Sequence, residues 1–154
     1  MSRGILAVMD DLPTHTVQEY VIIEEHSVFK HEYDDGQVRA MSGGTAEHAR
    51  LAAEVIFQLK TQLVGRACSV FTSDLRVRVS ATGLITYPDV SVFCGELTAD
   101  SEDKLAQRNP IVLVEVASKS TEKYDRVRKF EHYKRIPALR EYVCLLYTSD
   151  AADE

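Results

Sequence analysis

No apolar run in the chain approaches the roughly 18 residues that a membrane-spanning helix needs. The short N-terminal stretch GILAVM also lacks the length and the charged flank of a secretory signal. Neither a membrane span nor signal-directed export is expected, and the cytoplasm is the expected compartment. Paired cysteines are missing too: Cys68, Cys94 and Cys144 are odd in number and form no close pair. That speaks against a disulfide framework and against a cysteine-based zinc site, and three reduced thiols are expected, with Cys94 filling core. No internal repeat is visible. Ser42-Gly43-Gly44 is not a phosphate loop, because the lysine and the second glycine spacing are absent. Net positive charge is lacking as well, since the formal sum is −6; taken alone this disfavours a phosphate-rich partner. The average conceals a local bias. Between Ala117 and Arg140 eight basic residues stand against three acidic ones, a local sum of +5 that leaves −11 for the remainder. A basic segment facing a carboxylate-rich remainder suits a metal-dependent enzyme acting on phosphodiesters, although a basic helix face is more often simply solvated.

What is present is enough for one domain: 154 residues, 45% of them hydrophobic. The first 20 or so residues read as a docking segment, with a turn at Pro13–Thr16 and then a short helix or strand in TVQEYVIIEE. Asp35-Gly36 supplies a tight turn between strands Phe29–Tyr33 and Gln37–Met41. Thr45 is a candidate N-cap for an amphipathic helix over Ala46–Leu63, whose stripe is Ala52, Val55, Ile56, Leu59 and Leu63, with His48 on the same face. A second hairpin is expected from Asp74–Ser80 and Leu84–Cys94, with Val77 and Val79 on one face and Asp74, Arg76 and Arg78 on the other. GELTADSEDKLAQRN reads as a polar loop. Ile111–Val116 is apolar on both faces, as a covered central strand is. The segment Thr121–Lys134 is expected to be a helix with the stripe Tyr124, Val127, Phe130 and Tyr133, ended by Pro137. REYVCLLY adds a strand. The order describes an α/β fold with a mixed sheet.

Two of these strands carry acids. YPDVSVFCG places Asp89 at the mouth of one, and NPIVLVEVAS places Glu115 inside another. A buried carboxylate is costly without a cation or a strong donor. A divalent metal would serve, because Mg²⁺ prefers a few carboxylate oxygens and can activate water and offset charge on a phosphate. The bland alternative is that Asp89 caps the turn after Pro88 and Glu115 pairs with a basic residue of the next helix.

An xPD at a strand start followed by an acid inside the next core strand is similar to the PD-(D/E)xK nuclease pattern. The segments EYDDGQVRAMSGG, HARLAAEV, SDLRVRV, YPDVSVFCG, LVEVASKST and YDRVRKFEHYKRIPALREYV resemble, in the same order, those of the Uma-two family of restriction endonucleases, over about Phe29 to Val143. The resemblance implies a restriction endonuclease-like fold, a mixed central sheet flanked by helices with an N-terminal β-hairpin, carrying a metal-dependent phosphodiesterase site. It implies Mg²⁺ or Mn²⁺ as cofactor, DNA as partner and, by analogy, a homodimer. By motif position Asp89 and Glu115 are metal ligands, with Asp74 or Glu32 completing an acidic cluster. The lysine departs from the pattern: its slot holds Ala117, and Lys119 stands two residues too late. Lys129, four residues after Asp125, is the candidate, since the family places an equivalent lysine on this helix; an ordinary salt bridge is the competing role. His48, Arg76 and Lys123 are candidate phosphate contacts, His48 from a helix N-terminus.

The ending CLLYTSDAADE does not continue the family pattern and resembles the translated read-through of a sequencing adapter. The expected organisation is one domain over 1–143 and a non-native tail over 144–154, which would leave the fold truncated with an exposed sheet edge. Two functions are carried forward. One is a metal-dependent endonuclease in which Asp89 and Glu115 hold Mg²⁺ and Lys129 steadies charge. The other is an inactive nuclease-fold module that binds nucleic acid or protein.

Overall fold

The computed structural model describes residues 13–147, and the rest of the expected docking segment and of the expected tail lies outside them. Helix α1, Val17–His26, opens on Thr16, whose side chain accepts from the Glu19 amide while the Glu19 side chain accepts from the Thr16 amide, a complete capping box. Strands β1, His31–Asp34, and β2, Gln37–Ala40, form the predicted hairpin, with Asp35 and Gly36 both at positive φ as its turn requires. Helix α2, Ala46–Gln62, is capped by Thr45 as expected. Its predicted stripe faces inward, yet no residue of the helix is fully buried.

Strand β3, Cys68–Thr72, is an addition to the predicted set. It pairs with β6, Val90–Cys94, in a register that sets Cys68 directly opposite Cys94, and the two are joined in a disulfide. The expectation of three reduced thiols is thereby corrected: only Cys144 is a free thiol. The pair escapes a sequence reading because the cysteines stand 26 apart and become neighbours only through β3.

The predicted strand Leu84–Cys94 is two strands. Pro88 offers no amide to a ladder, and at Tyr87-Pro88-Asp89 the chain leaves one sheet for another. Before it, β4 (Arg76–Arg78) and β5 (Ile85–Thr86) join β1, β2 and β7 (Ala106–Gln107) in the order β2-β1-β5-β4-β7. After it, β6 lies in a second sheet of order β3-β6-β8-β9, where β8 is Val112–Ala117 and β9 is Glu141–Leu146. β6 runs antiparallel to β8, and β8 parallel to β9, so this sheet is mixed as expected. The boundary expected at Val143 falls inside β9, which continues to Leu146 in full register with β8.

The main core gathers Val77, Val79, Leu84, Phe93, Leu113, Tyr133 and Ile136, and a second packs Val17, Tyr20, Tyr33, Ile85 and Ala106 under α1. Between β8 and β9 the chain makes a π-helical segment, Tyr124–Lys129, that runs straight into α3, Phe130–Tyr133. The predicted apolar stripe holds at Tyr133, which is buried, and is corrected at Val127 and Phe130, which are exposed while Asp125 and Lys129 are buried. Winding explains the change. Four residues fall short of a full π turn and exceed the 3.6 of an α turn, so the two offsets cancel and residues four apart keep one inward face.

Candidate active site

The last ladder pair of β6 and β8 is Val90 opposite Val114. One step further the same register brings Asp89 opposite Glu115, and directly opposed residues present side chains on one face. The Val116 amide donates to Asp89 Oδ2 at 2.7 Å, which fixes that carboxylate against the neighbouring strand. That register puts the two acids on the same side of the sheet. Both line a cleft of about 510 Å³ together with Glu32, Gly43, Gly44, Thr45, His48, Tyr87, Tyr124, Asp125, Lys129 and Tyr147.

Glu115 is 2% exposed. Its Oε1 accepts two hydrogen bonds, from Lys129 Nζ at 3.1 Å and from the Tyr133 hydroxyl at 2.7 Å. Lys129 Nζ also lies 3.4 Å from Asp125 Oδ1. One ammonium thus faces two carboxylates directly. Burial pushes the Glu115 carboxyl up to about 7; the Lys129 charge opposes this, and the charges of Asp89 and Asp125 add to it. Asp125 is raised as well, again by burial first. For Lys129 burial acts downward, but Glu115, Asp125 and Glu32 outweigh it and hold the ammonium charged well above the usual lysine range. The site is a carboxylate-rich pocket organised around one permanent cation.

Asp89 Oδ1 and Glu115 Oε2 accept no hydrogen bond among the described residues, and both side chains line the cleft. Two such oxygens, from acids whose charges repel, are a donor set that suits Mg²⁺, which takes one or two carboxylates and completes its shell with water and phosphate oxygens. Among the described residues no group of three or more His, Cys, Asp or Glu side chains is placed to hold a metal ion, so the expected cluster of Asp89 and Glu115 with Asp74 or Glu32 is not assembled.

Other predicted residues are distributed unevenly. Glu32 lines the cleft, but both of its oxygens are engaged, Oε1 by the Tyr124 hydroxyl at 2.7 Å and Oε2 by the Thr86 hydroxyl at 3.1 Å. It braces the helix instead of offering a free ligand. His48, in the first turn of α2, brings Nε2 to 3.2 Å from Asp89 Oδ2. Gly44 makes room for this ring, since a Cβ there would stand 2.6 Å from His48 Nδ1. Asp74 is not brought to the cleft: it sits in the exposed turn between β3 and β4 and pairs with Lys30 at 2.6 Å. Arg76 is not free for phosphate either. It is buried and bound to both oxygens of Asp103, at 2.6 and 2.7 Å, and to the Tyr87 hydroxyl, because the polar loop after β6 folds over the face that alternation alone would leave open. Lys123 is exposed beside the cleft mouth and not in its lining. Tyr124 and Tyr133 contribute polar contacts that apolar-stripe reasoning assigns to core. The four-residue spacing Asp125, Lys129, Tyr133 is the signal that marks them as one face.

With this geometry in hand, the relatives are informative. The sequence profile of the Uma2 family, described as "Putative restriction endonuclease", matches residues 17–150. Two Synechocystis sp. proteins described as uncharacterized are similar. Protein slr1290 is 37% identical over 141 residues, 92% of this chain and 73% of that protein. Protein sll1609 is 32% identical over 130 residues, 84% of this chain and 73% of that protein. A crystal structure from Anabaena variabilis, described as "a putative nuclease belonging to DUF820", superposes with a TM-score of 0.63 at 17% identity, covering 88% of this chain and 74% of that one. The shared fold is what this last likeness shows.

Proposed function

Because the chain belongs to the Uma2 family, we propose that it is a divalent-metal-dependent endonuclease that hydrolyses phosphodiester bonds in DNA. The observation that carries this reading is the register that sets Asp89 opposite Glu115 on one face of the β6–β8 pair, both lining one cleft, with Asp89 Oδ1 and Glu115 Oε2 accepting no hydrogen bond among the described residues. Mg²⁺ or Mn²⁺ held by those two oxygens would supply an activated water and offset charge on the reacting phosphate.

The chain's own groups do the rest. Tyr133 and Lys129 both donate to Glu115 Oε1 and fix the carboxylate in the cleft wall. The Val116 amide holds Asp89 in the same way. Lys129, kept charged by its acidic neighbours, provides a fixed positive charge in a nearly dry site, where such a charge is worth far more than in water. It thereby takes the role left vacant at Ala117, which is fully buried and has no polar atom in its side chain. His48 is placed to meet a phosphate oxygen beside Asp89 at the α2 N-terminus, where backbone amides already favour anions.

The alternative, a nuclease fold that binds nucleic acid without cutting it, draws on the absent lysine at 117. Plasmid nicking separates the two. The endonuclease reading predicts Mg²⁺- or Mn²⁺-dependent nicking by the purified chain that Asp89→Asn, Glu115→Gln and Lys129→Met each abolish. Nicking that survives in the Asp89→Asn/Glu115→Gln double variant, or a wild type that binds DNA and never cuts it, would remove this assignment.

A further inference from the structure

The cleft lining is strongly acidic, with Glu32, Asp89, Glu115 and Asp125 against Lys129, so a DNA backbone needs cations outside it to stay there. Most basic residues near the cleft are committed to partners: Lys129 to Glu115 and Asp125, Arg128 to Asp34, Arg126 to Glu122, and Lys30 to Asp74. Three are not. Arg39, Lys119 and Lys123 are exposed and make no ion pair among the described residues.

Each is a chain neighbour of residues that line the cleft. Arg39 is directly opposite Glu32 in the β1–β2 pair, so its side chain leaves the sheet on the face that Glu32 presents to the cleft. Glu32 is itself held by the Thr86 and Tyr124 hydroxyls. Lys119 stands between the lining residues Ser118 and Ser120, and Lys123 directly precedes the lining Tyr124. The acid nearest Lys123 in sequence, Glu122, is engaged by Arg126 at 2.6 Å.

Resting on the endonuclease reading, we propose that Arg39, Lys119 and Lys123 form a clamp on the phosphates that flank the scissile one, so that the substrate is an internal stretch of DNA backbone and not a mononucleotide. Three cations around an acidic slot hold a polyanion threaded across it.

The test is the salt dependence of DNA binding by the full chain carrying Glu115→Gln, followed by fluorescence anisotropy of a labelled duplex in Mg²⁺. Each lost phosphate contact lowers the slope of log K against log salt by about 0.9, so the added triple change Arg39→Ala/Lys119→Ala/Lys123→Ala should lower it by about 2 to 3. A control triple at Lys60, Arg66 and Arg140, which are exposed, unpaired among the described residues and not next to the lining, should leave the slope in place. Unlabelled dTMP at equal phosphate concentration should not displace the duplex. An unchanged slope in the rim triple, an equal loss in the control, displacement by dTMP, or no measurable binding each overturns the clamp. Wild-type nicking of plasmid is scored separately, so the clamp can fail while the nuclease reading stands.

Discussion

Two of the buried ion pairs among the described residues are built differently. Arg76 and Asp103 form a closed unit: both carboxylate oxygens are matched by guanidinium nitrogens, and the Tyr87 hydroxyl takes a further bond. Lys129 and Glu115 form an open one. A single ammonium serves Glu115 and Asp125, and a third carboxylate, Asp89, lines the same cleft. The first arrangement leaves nothing for a ligand to do. The second is electrostatically incomplete and is completed by adding positive charge. Burial of charge alone therefore does not mark an active site; an imbalance among buried charges does.

The contrast can be broken from either side. At the open pair, Lys129→Met should cost on the order of 10²- to 10³-fold in cleavage, the range for removing one preorganised electrostatic group, measured as single-turnover rates on a short duplex. At the closed pair, Arg76→Ala should destabilise the fold by about 3–5 kcal/mol by stranding Asp103, seen in urea melts. A smaller effect follows from the raised Glu115 carboxyl. Its folded value of about 7 exceeds the ordinary 4.5, so between those values the folded state binds more protons than the unfolded one. Metal-free stability should fall as pH rises through that window, by on the order of 1–3 kcal/mol, and Glu115→Gln should flatten the decline. Tyr133→Phe removes one of two donors to Glu115 and should weaken Mn²⁺ binding several-fold. Smallest of all, Asp74→Asn touches an exposed pair outside the cleft lining and should change cleavage and melting by little.

Much of the fold is legible in the sequence where local chemistry agrees with tertiary placement. The Asp35-Gly36 turn, the Thr45 cap and the apolar run ending in Glu115 each say what they become. Misreadings occur where a distant segment changes the environment. Arg76 alternates with core residues like a solvent-facing strand position, but the loop carrying Asp103 covers it. Cys68 and Cys94 look unpaired until β3 is set beside β6. On the helix, an α period selects Val127 and Phe130 as the inner face; the π segment instead turns Asp125 and Lys129 inward. Pro88 does carry its own warning, and its consequence is the change of sheet that delivers Asp89 to the side of Glu115.

The central claim is that Asp89 and Glu115 share one cation, and the most direct measurement is Mn²⁺ binding followed by electron paramagnetic resonance. The account predicts a binding site in the wild type that is lost in Asp89→Asn and in Glu115→Gln, while Asp74→Asn keeps it. Undiminished Mn²⁺ binding in both cleft variants would contradict it.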